Sequence, residues 1–268
     1  MVKLFDEDIK MENRQSSKGN QLKFERDGVW YKADYAGYEG LAEYAISKLL
    51  AKSTLNADEY VDYELETIEY NDAHFNACKS NDFTEGWQLI TLERLFKSLY
   101  GYGLNRVIYS TADHAERLKV LVDQVERVTG LAEFGKYMSK VLTIDALFLN
   151  EDRHTHNIAV LTRDLKEFKL APIFDNGAGL LSDTTMDYPM SKDHFLLIDK
   201  VRSKTFSDSF TEQIDISKEL YGENIHFIFD YNDVKSVVEK ADNYPPEILQ
   251  RVIEVIMEMR RRYKYLFK

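Results

Sequence analysis

Hydrophobic and polar positions alternate along two short arms near the N-terminus, Gln21 to Arg26 and Val29 to Asp34, on either side of Asp27-Gly28. An Asp-Gly pair between such arms is a strong hairpin signal, because both central positions of the favoured turn need positive φ. The period then changes. Leu41, Tyr44, Ala45 and Leu49 recur at helical spacing and predict a helix from Tyr38 to Lys52. Apolar runs around Val61 to Tyr70 and Trp87 to Leu92 predict two more strands. Beyond Glu93 the pattern is helical: Leu92 to Tyr100, stopped by Gly101 and Gly103, then Ala112 to Val128 and Leu131 to Leu149. The last of these carries a wide apolar face suited to a core helix. Two short strands follow, Ile158 to Leu161 and Phe168 to Phe174, around a polar turn at Arg163-Asp164. The chain is then mixed until Pro245-Pro246, which can open a helix running to about Arg262. This order predicts an α+β protein with a small β-rich lobe over residues 1–93 and a larger helical lobe over 94–268.

Composition narrows the classes without changing that picture. The 268 residues are 44% hydrophobic and 30% charged, in the ordinary globular range. The formal net charge is −11, which argues against direct binding of nucleic acid or of an anionic membrane, since both want basic patches. Cys78 is the only cysteine, so neither an internal disulfide nor a cysteine-rich metal centre can form. The N-terminus turns acidic at once and lacks an apolar signal core. A cytoplasmic protein that neither spans nor binds a membrane is the expectation.

The candidate chemistry lies at the end of the most apolar helix, in Asn150-Glu151-Asp152-Arg153-His154-Thr155-His156-Asn157. Asp152 and Asn157 have the D-x-x-x-x-N spacing of a phosphotransfer catalytic loop, where the Asp takes the acceptor proton and the Asn holds a metal. Eighteen residues after Asn157, Asp175-Asn176-Gly177 offers a second carboxylate beyond the pair of short strands. Mg²⁺ asks for such hard oxygen donors and takes substrate phosphates in its remaining positions. Each piece alone has a plain reading, because Asp, Asn and Gly are ordinary loop formers. Their conjunction in this order carries the argument. His154 and His156 lack a third and fourth ligand for a zinc site; His154 is expected to orient the loop. Arg153 has two open readings, pairing with a carboxylate or with a phosphate. Asp145, inside the apolar helix, is expected to accept backbone N–H groups of the loop.

Asn150-x-Asp152-Arg153-His154-x-x-Asn157, followed by Ala171-Pro172-Ile173-Phe174-Asp175, resembles the kinase domain of HipA-type toxins. Ser16-Ser17-Lys18-Gly19-Asn20-Gln21-Leu22-Lys23 resembles that family's phosphate loop, and Ala42-Glu43-Tyr44 its Asn-Glu-Tyr. The resemblance implies a bilobal protein-kinase-like fold that transfers the γ-phosphoryl group of ATP, with Mg²⁺, to a Ser or Thr hydroxyl of a protein. It implies Asp152 as base with His154 beside it, Asn157 and Asp175 as metal ligands, and Gly19, Gln21, Lys23 and Lys32 around the nucleotide phosphates. Glu43 would be the ionic partner of Lys32, and adenine would be read by backbone groups near Leu89 to Glu93. Leu180 to Asp199 would be the activation-segment counterpart. Ser16, with Ser17 as the alternative, would be phosphorylated by the protein itself, adding about −1.5 to −2 charges beside the triphosphate and switching it off. An antitoxin becomes a candidate partner. Full-length HipA toxins carry a further N-terminal subdomain; with the phosphate loop starting at residue 16, a compact form is expected here.

Two rivals stay open. Asp-Arg-His-x-x-Asn with a later Asp-x-Gly also resembles phosphoinositide kinases, although the acid surplus disfavours a membrane substrate. A pseudokinase binding module would not need Asp152, Asn157, Asp175 and Lys32 together. The basic C-terminus, Arg260 to Lys268, reads as a docking patch or, more simply, as cations at a helix C-terminus.

Overall fold

The computed structural model describes residues 1–10 and 21–268. Among these, a five-stranded sheet runs in the order β1 (Val2–Lys3), β4 (Glu64–Tyr70), β5 (Ala73–Asn81), β3 (Val29–Ala33), β2 (Lys23–Arg26). Only β1 and β4 are parallel; the other neighbours are antiparallel. The expected hairpin is β2–β3. Its turn residues Asp27 and Gly28 have φ of 52° and 77°, which is why the second position is glycine. The expected helix is α1 (Glu39–Leu50). Gly40 lets it approach the sheet, since a Cβ there would stand 3.0 Å from the Cys78 backbone nitrogen.

The central strand β5 was not expected. Its sequence, Ala-His-Phe-Asn-Ala-Cys-Lys-Ser-Asn, has little β propensity. Pairing on both edges, with β4 and β3, makes it a strand. Alternation then sorts its neighbours. Tyr31, Ala33 and Ala77 join Leu4, Phe24 and Ile68 in one buried cluster. Lys32 and Cys78, which face each other in register, fall on the opposite side of the sheet.

The chain forms two compact units that interleave along the sequence. The first holds residues 1–83, 174–201 and 227–268, so α6 (His194–Ile198), α8 (Tyr231–Val238) and α9 (Pro246–Arg262) belong with the five-stranded sheet. The second holds residues 84–173 and 202–226. It contains α2 (Leu92–Tyr100), α3 (Leu104–Ile108), α4 (His114–Thr129), α5 (Phe134–Phe148) and α7 (Phe210–Tyr221). It also contains a three-stranded antiparallel sheet in the order β6 (Gln88–Thr91), β7 (Ala159–Arg163), β8 (Glu167–Leu170). This partition is not a single cut near residue 93: β6 pairs with β7, and the last seventy residues are shared between the units. Within the second unit, α5 is buried along most of its length, as its apolar face predicts. It ends at Leu149, whose φ of 56° reverses the chain into the Asn150–Asn157 loop. Among the described residues no helix is long and apolar enough to cross a membrane.

Candidate active site

In the first unit, β3 and α1 present Lys32 and Glu43 to each other. Lys32 Nζ lies 2.5 Å from Glu43 Oε1 and 2.8 Å from Asp175 Oδ1. Glu43 is 1% exposed, and its other oxygen, Oε2, accepts the Asn176 backbone N–H at 2.8 Å. One carboxylate therefore fixes both the lysine and the chain just after Asp175. Burial alone would lower the Lys32 pKa; the Asp175 and Glu43 carboxylates outweigh it and hold the ammonium well above its usual range. The charge also stands 5.2 Å from the centre of the Tyr63 ring, a cation–π contact. Asp175 has φ of 62°, an uncommon backbone state for a residue with a side chain. Cys78, opposite Lys32, is buried and its thiol pKa is pushed well up by burial, which makes it an inert wall.

In the second unit, the Asn150–Asn157 loop is built on a buried ion pair. Arg153 Nε lies 3.0 Å from Asp145 Oδ2 and Arg153 Nη2 lies 3.1 Å from Oδ1. Asn150 Nδ2 donates to the same Oδ1 at 2.9 Å. Asp145 thus accepts from side chains, where backbone N–H groups were expected, and Arg153 pairs with a carboxylate. Arg153 Nη1 then donates to the Asn157 carbonyl at 3.1 Å, and Thr205 Oγ1 donates to the Arg153 carbonyl at 2.7 Å. The loop is held from both ends.

That frame aims Asp152 and Asn157. Asn157 Nδ2 donates to the Asp152 carbonyl at 2.8 Å and to Asp152 Oδ2 at 3.2 Å. With the NH₂ group so engaged, the amide oxygen is the remaining donor atom toward a cation. His154 Nε2 stands 3.6 Å from Asp152 Oδ1, an ion contact when the ring is protonated. The His156 ring meets the His154 ring edge-on at 5.4 Å. Lys204 Nζ, 3.8 Å from Asp152 Oδ1, is a cation beside that carboxylate that sequence reasoning missed. It lies fifty-two residues away in an irregular segment with no motif to mark it.

Among the described residues no group of three or more His, Cys, Asp or Glu side chains is placed to hold a metal ion. The chain offers separate oxygen donors instead, the Asp175 carboxylate and the Asn157 amide. Taken singly, each is a hard oxygen donor of the kind Mg²⁺ accepts alongside waters and phosphate oxygens. Of the other expected contacts, Lys23 is the cross-strand partner of Lys32, so both side chains leave the same face of the sheet. Gln21 precedes β2 and is half-buried. Gly19, Ser16 and Ser17 lie outside the described residues. In the expected adenine-reading stretch, β6 is an edge strand. The N–H groups of Leu92 and Glu93 are already donated, to the carbonyls of Ile158 and Thr155.

The architecture is kinase-like. It is similar to the crystal structure of a Helicobacter pylori proinflammatory kinase, CtkA, with a TM-score of 0.62 over 95% of this chain and 92% of that chain. Identity is 16%, so the likeness is one of fold. No protein-family model matches the sequence, and no curated protein is a detectable relative.

Proposed function

We propose that this protein is an ATP-dependent serine/threonine protein kinase of HipA type. The observation that carries the reading is the ionic triad of Lys32, Glu43 and Asp175, in which Glu43 is buried and the other two are partly buried. A strand lysine clamped by a helix glutamate is how kinase folds position nucleotide phosphates. A protein that only held its fold together would have little use for a charged lysine between two carboxylates, since buried ions cost several kcal/mol to desolvate (about that order per ion).

In this reading Lys32 contacts the phosphates of ATP, with Lys23 on the same face of the sheet as a second cation. Asp175 and the Asn157 amide oxygen would hold Mg²⁺, which neutralises charge developing on the phosphates when bound. Asp152 accepts the proton of the acceptor hydroxyl as its oxygen bonds to the γ-phosphorus, and ADP leaves with the electrons of the broken P–O bond. His154 and Lys204 set the charge around that carboxylate. Ser16, or Ser17, is the proposed acceptor within the chain itself.

The test is transfer of label from γ-labelled ATP with Mg²⁺, first to the protein alone and then to proteins of a cell lysate. Labelled phosphoserine or phosphothreonine, absent with Lys32→Met, is the expected result. Tight nucleotide binding without transfer to any protein would leave a binding module, and label in lipid vesicles alone would move the substrate class.

A further inference from the structure

We infer that Arg251, on α9, is the floor of a second anion site, one that takes a phosphate-class oxyanion and is separate from the Lys32 cluster. Arg251 is 4% exposed. Among the described residues its Nη1 meets only a sulfur, Met190 Sδ, at 3.0 Å, and a thioether is a weak acceptor. Its Nε and Nη2 are buried and have no hydrogen-bond partner among the described residues. These two nitrogens form one edge of the guanidinium. That edge is the fork which binds two oxygens of a carboxylate or phosphate in parallel. The same edge is used that way elsewhere in the protein, where Nε and Nη2 of Arg153 hold Asp145.

The neighbouring carboxylate on α9 does not fill it. Glu254 lies one turn further on, yet its Oε1 accepts from Gln250 Nε2 at 2.6 Å and its Oε2 stands 3.1 Å from His194 Nε2. Removing one partner of a buried ion pair costs about 3–5 kcal/mol, because the remaining charge is left uncompensated. A permanently charged fork that no described side chain pairs is therefore suited to an anionic ligand. The neighbour that contacts the guanidinium, Met190 at Nη1, is soft. It is 37% exposed, and an unbranched thioether side chain swings aside at low cost. An anion with two oxygens in one plane would take the Nε–Nη2 edge as a bidentate pair, with Met190 Sδ left on Nη1 or displaced. The site needs neither ATP nor the phosphotransfer reading.

Thermal unfolding of the full chain tests this, with wild type, Arg251→Met and Arg251→Lys compared in chloride, inorganic phosphate and O-phosphothreonine at one ionic strength. The expected result is a saturable rise of about 2 °C or more for wild type at tens of millimolar anion, following the mass-action law for a native-state ligand. Arg251→Met should lose that rise while unfolding in chloride no earlier than wild type, and Arg251→Lys, without the fork, should keep at most a small part of it. A response to inorganic phosphate alone assigns a free ion; a response to both assigns a phosphomonoester as well. An equal rise in wild type and Arg251→Met would overturn the site, as would no rise in wild type, which would return the fork to a buried water. If Arg251→Met does not fold, phosphate titration of wild type by calorimetry, in competition with sulfate, decides: heat that saturates at one equivalent supports the site, and none refutes it.

Discussion

The Asp175 carboxylate lies 2.8 Å from the Lys32 ammonium although 143 residues separate them in sequence. With Glu43 it makes a pair of negative charges around one positive charge, and removing the lysine takes away the cation that both carboxylates contact. Lys32→Met should therefore abolish phosphotransfer and also lower stability by about 3 kcal/mol. Lys32→Met combined with Glu43→Gln should recover part of that stability and none of the activity. Urea unfolding separates the two effects. Stability additive across the single and double variants would show that the pair is not coupled.

Asp152 should behave as a base and not as a nucleotide ligand. Asp152→Asn is expected to slow transfer by about 10²–10⁴-fold with nucleotide affinity nearly unchanged. The substitution keeps the backbone carbonyl to which Asn157 Nδ2 donates at 2.8 Å, so the loop should hold its shape. Lys204 contacts Asp152 from a half-exposed position, 3.8 Å away. A pair of that kind is worth about 1 kcal/mol or less, so Lys204→Ala should cost about fivefold at most in turnover. Single-turnover kinetics with saturating ATP reads both variants, and a larger loss from Lys204→Ala than from Asp152→Asn would reverse the assignment.

The two proposed metal donors differ in charge, and that difference should be measurable. Asp175→Asn removes a full negative charge, whereas Asn157→Ala removes a neutral amide. Asp175→Asn should weaken Mg²⁺-dependent ATP binding more, and it should also free Lys32 from one of its two carboxylates. Nucleotide affinity measured without Mg²⁺ should fall little, or rise, in Asp175→Asn, because the competitor for the lysine has gone. Equal affinity of wild type and variant in Mg²⁺ would remove Asp175 from the metal.

Local signals carried a good part of this structure. Asp27-Gly28 marks the hairpin because two adjacent positive φ values need those residue types, and Pro246 at the first turn of α9 starts that helix where expected. The loop after α5 was visible from its motif, and so were Lys32 and Glu43 through the resemblance. What escaped was non-local. β5 has small and polar residues and becomes a strand only between β3 and β4. Arg153 could not be assigned from sequence, because its choice of Asp145 depends on both being buried, at 3% and 1% exposure. The interleaved units follow from where residues 174–201 and 227–268 pack, which no composition shift announces. α7 is a different case: Ser209 caps it by accepting the Glu212 N–H, and the Ser-x-x-Glu signal stood in the sequence unused.

Asp34 supplies a pH dependence of stability that owes nothing to catalysis. It follows β3, where Gly40 N donates to its Oδ1 at 2.5 Å and Tyr244 Oη donates to its Oδ2 at 2.8 Å. Burial raises its pKa to about 8, with the Gly40 and Tyr244 hydrogen bonds opposing the rise. A carboxyl whose folded pKa lies above its unfolded value of about 4 binds its proton more tightly in the native state. Its contribution is fully present at pH 4 and below and is lost as pH climbs toward 8. Between those limits stability should fall with pH by at most about 1.4 kcal/mol per unit from this group, and level off above. Asp34→Asn keeps an acceptor for Gly40 and carries no ionisable proton, so it should flatten that slope and unfold at a higher temperature than wild type at pH 8. Denaturant titrations at pH 5, 6.5 and 8 check the prediction. Parallel pH profiles for wild type and Asp34→Asn would mean that the carboxyl is already ionised throughout, with Gly40 and Tyr244 outweighing its burial.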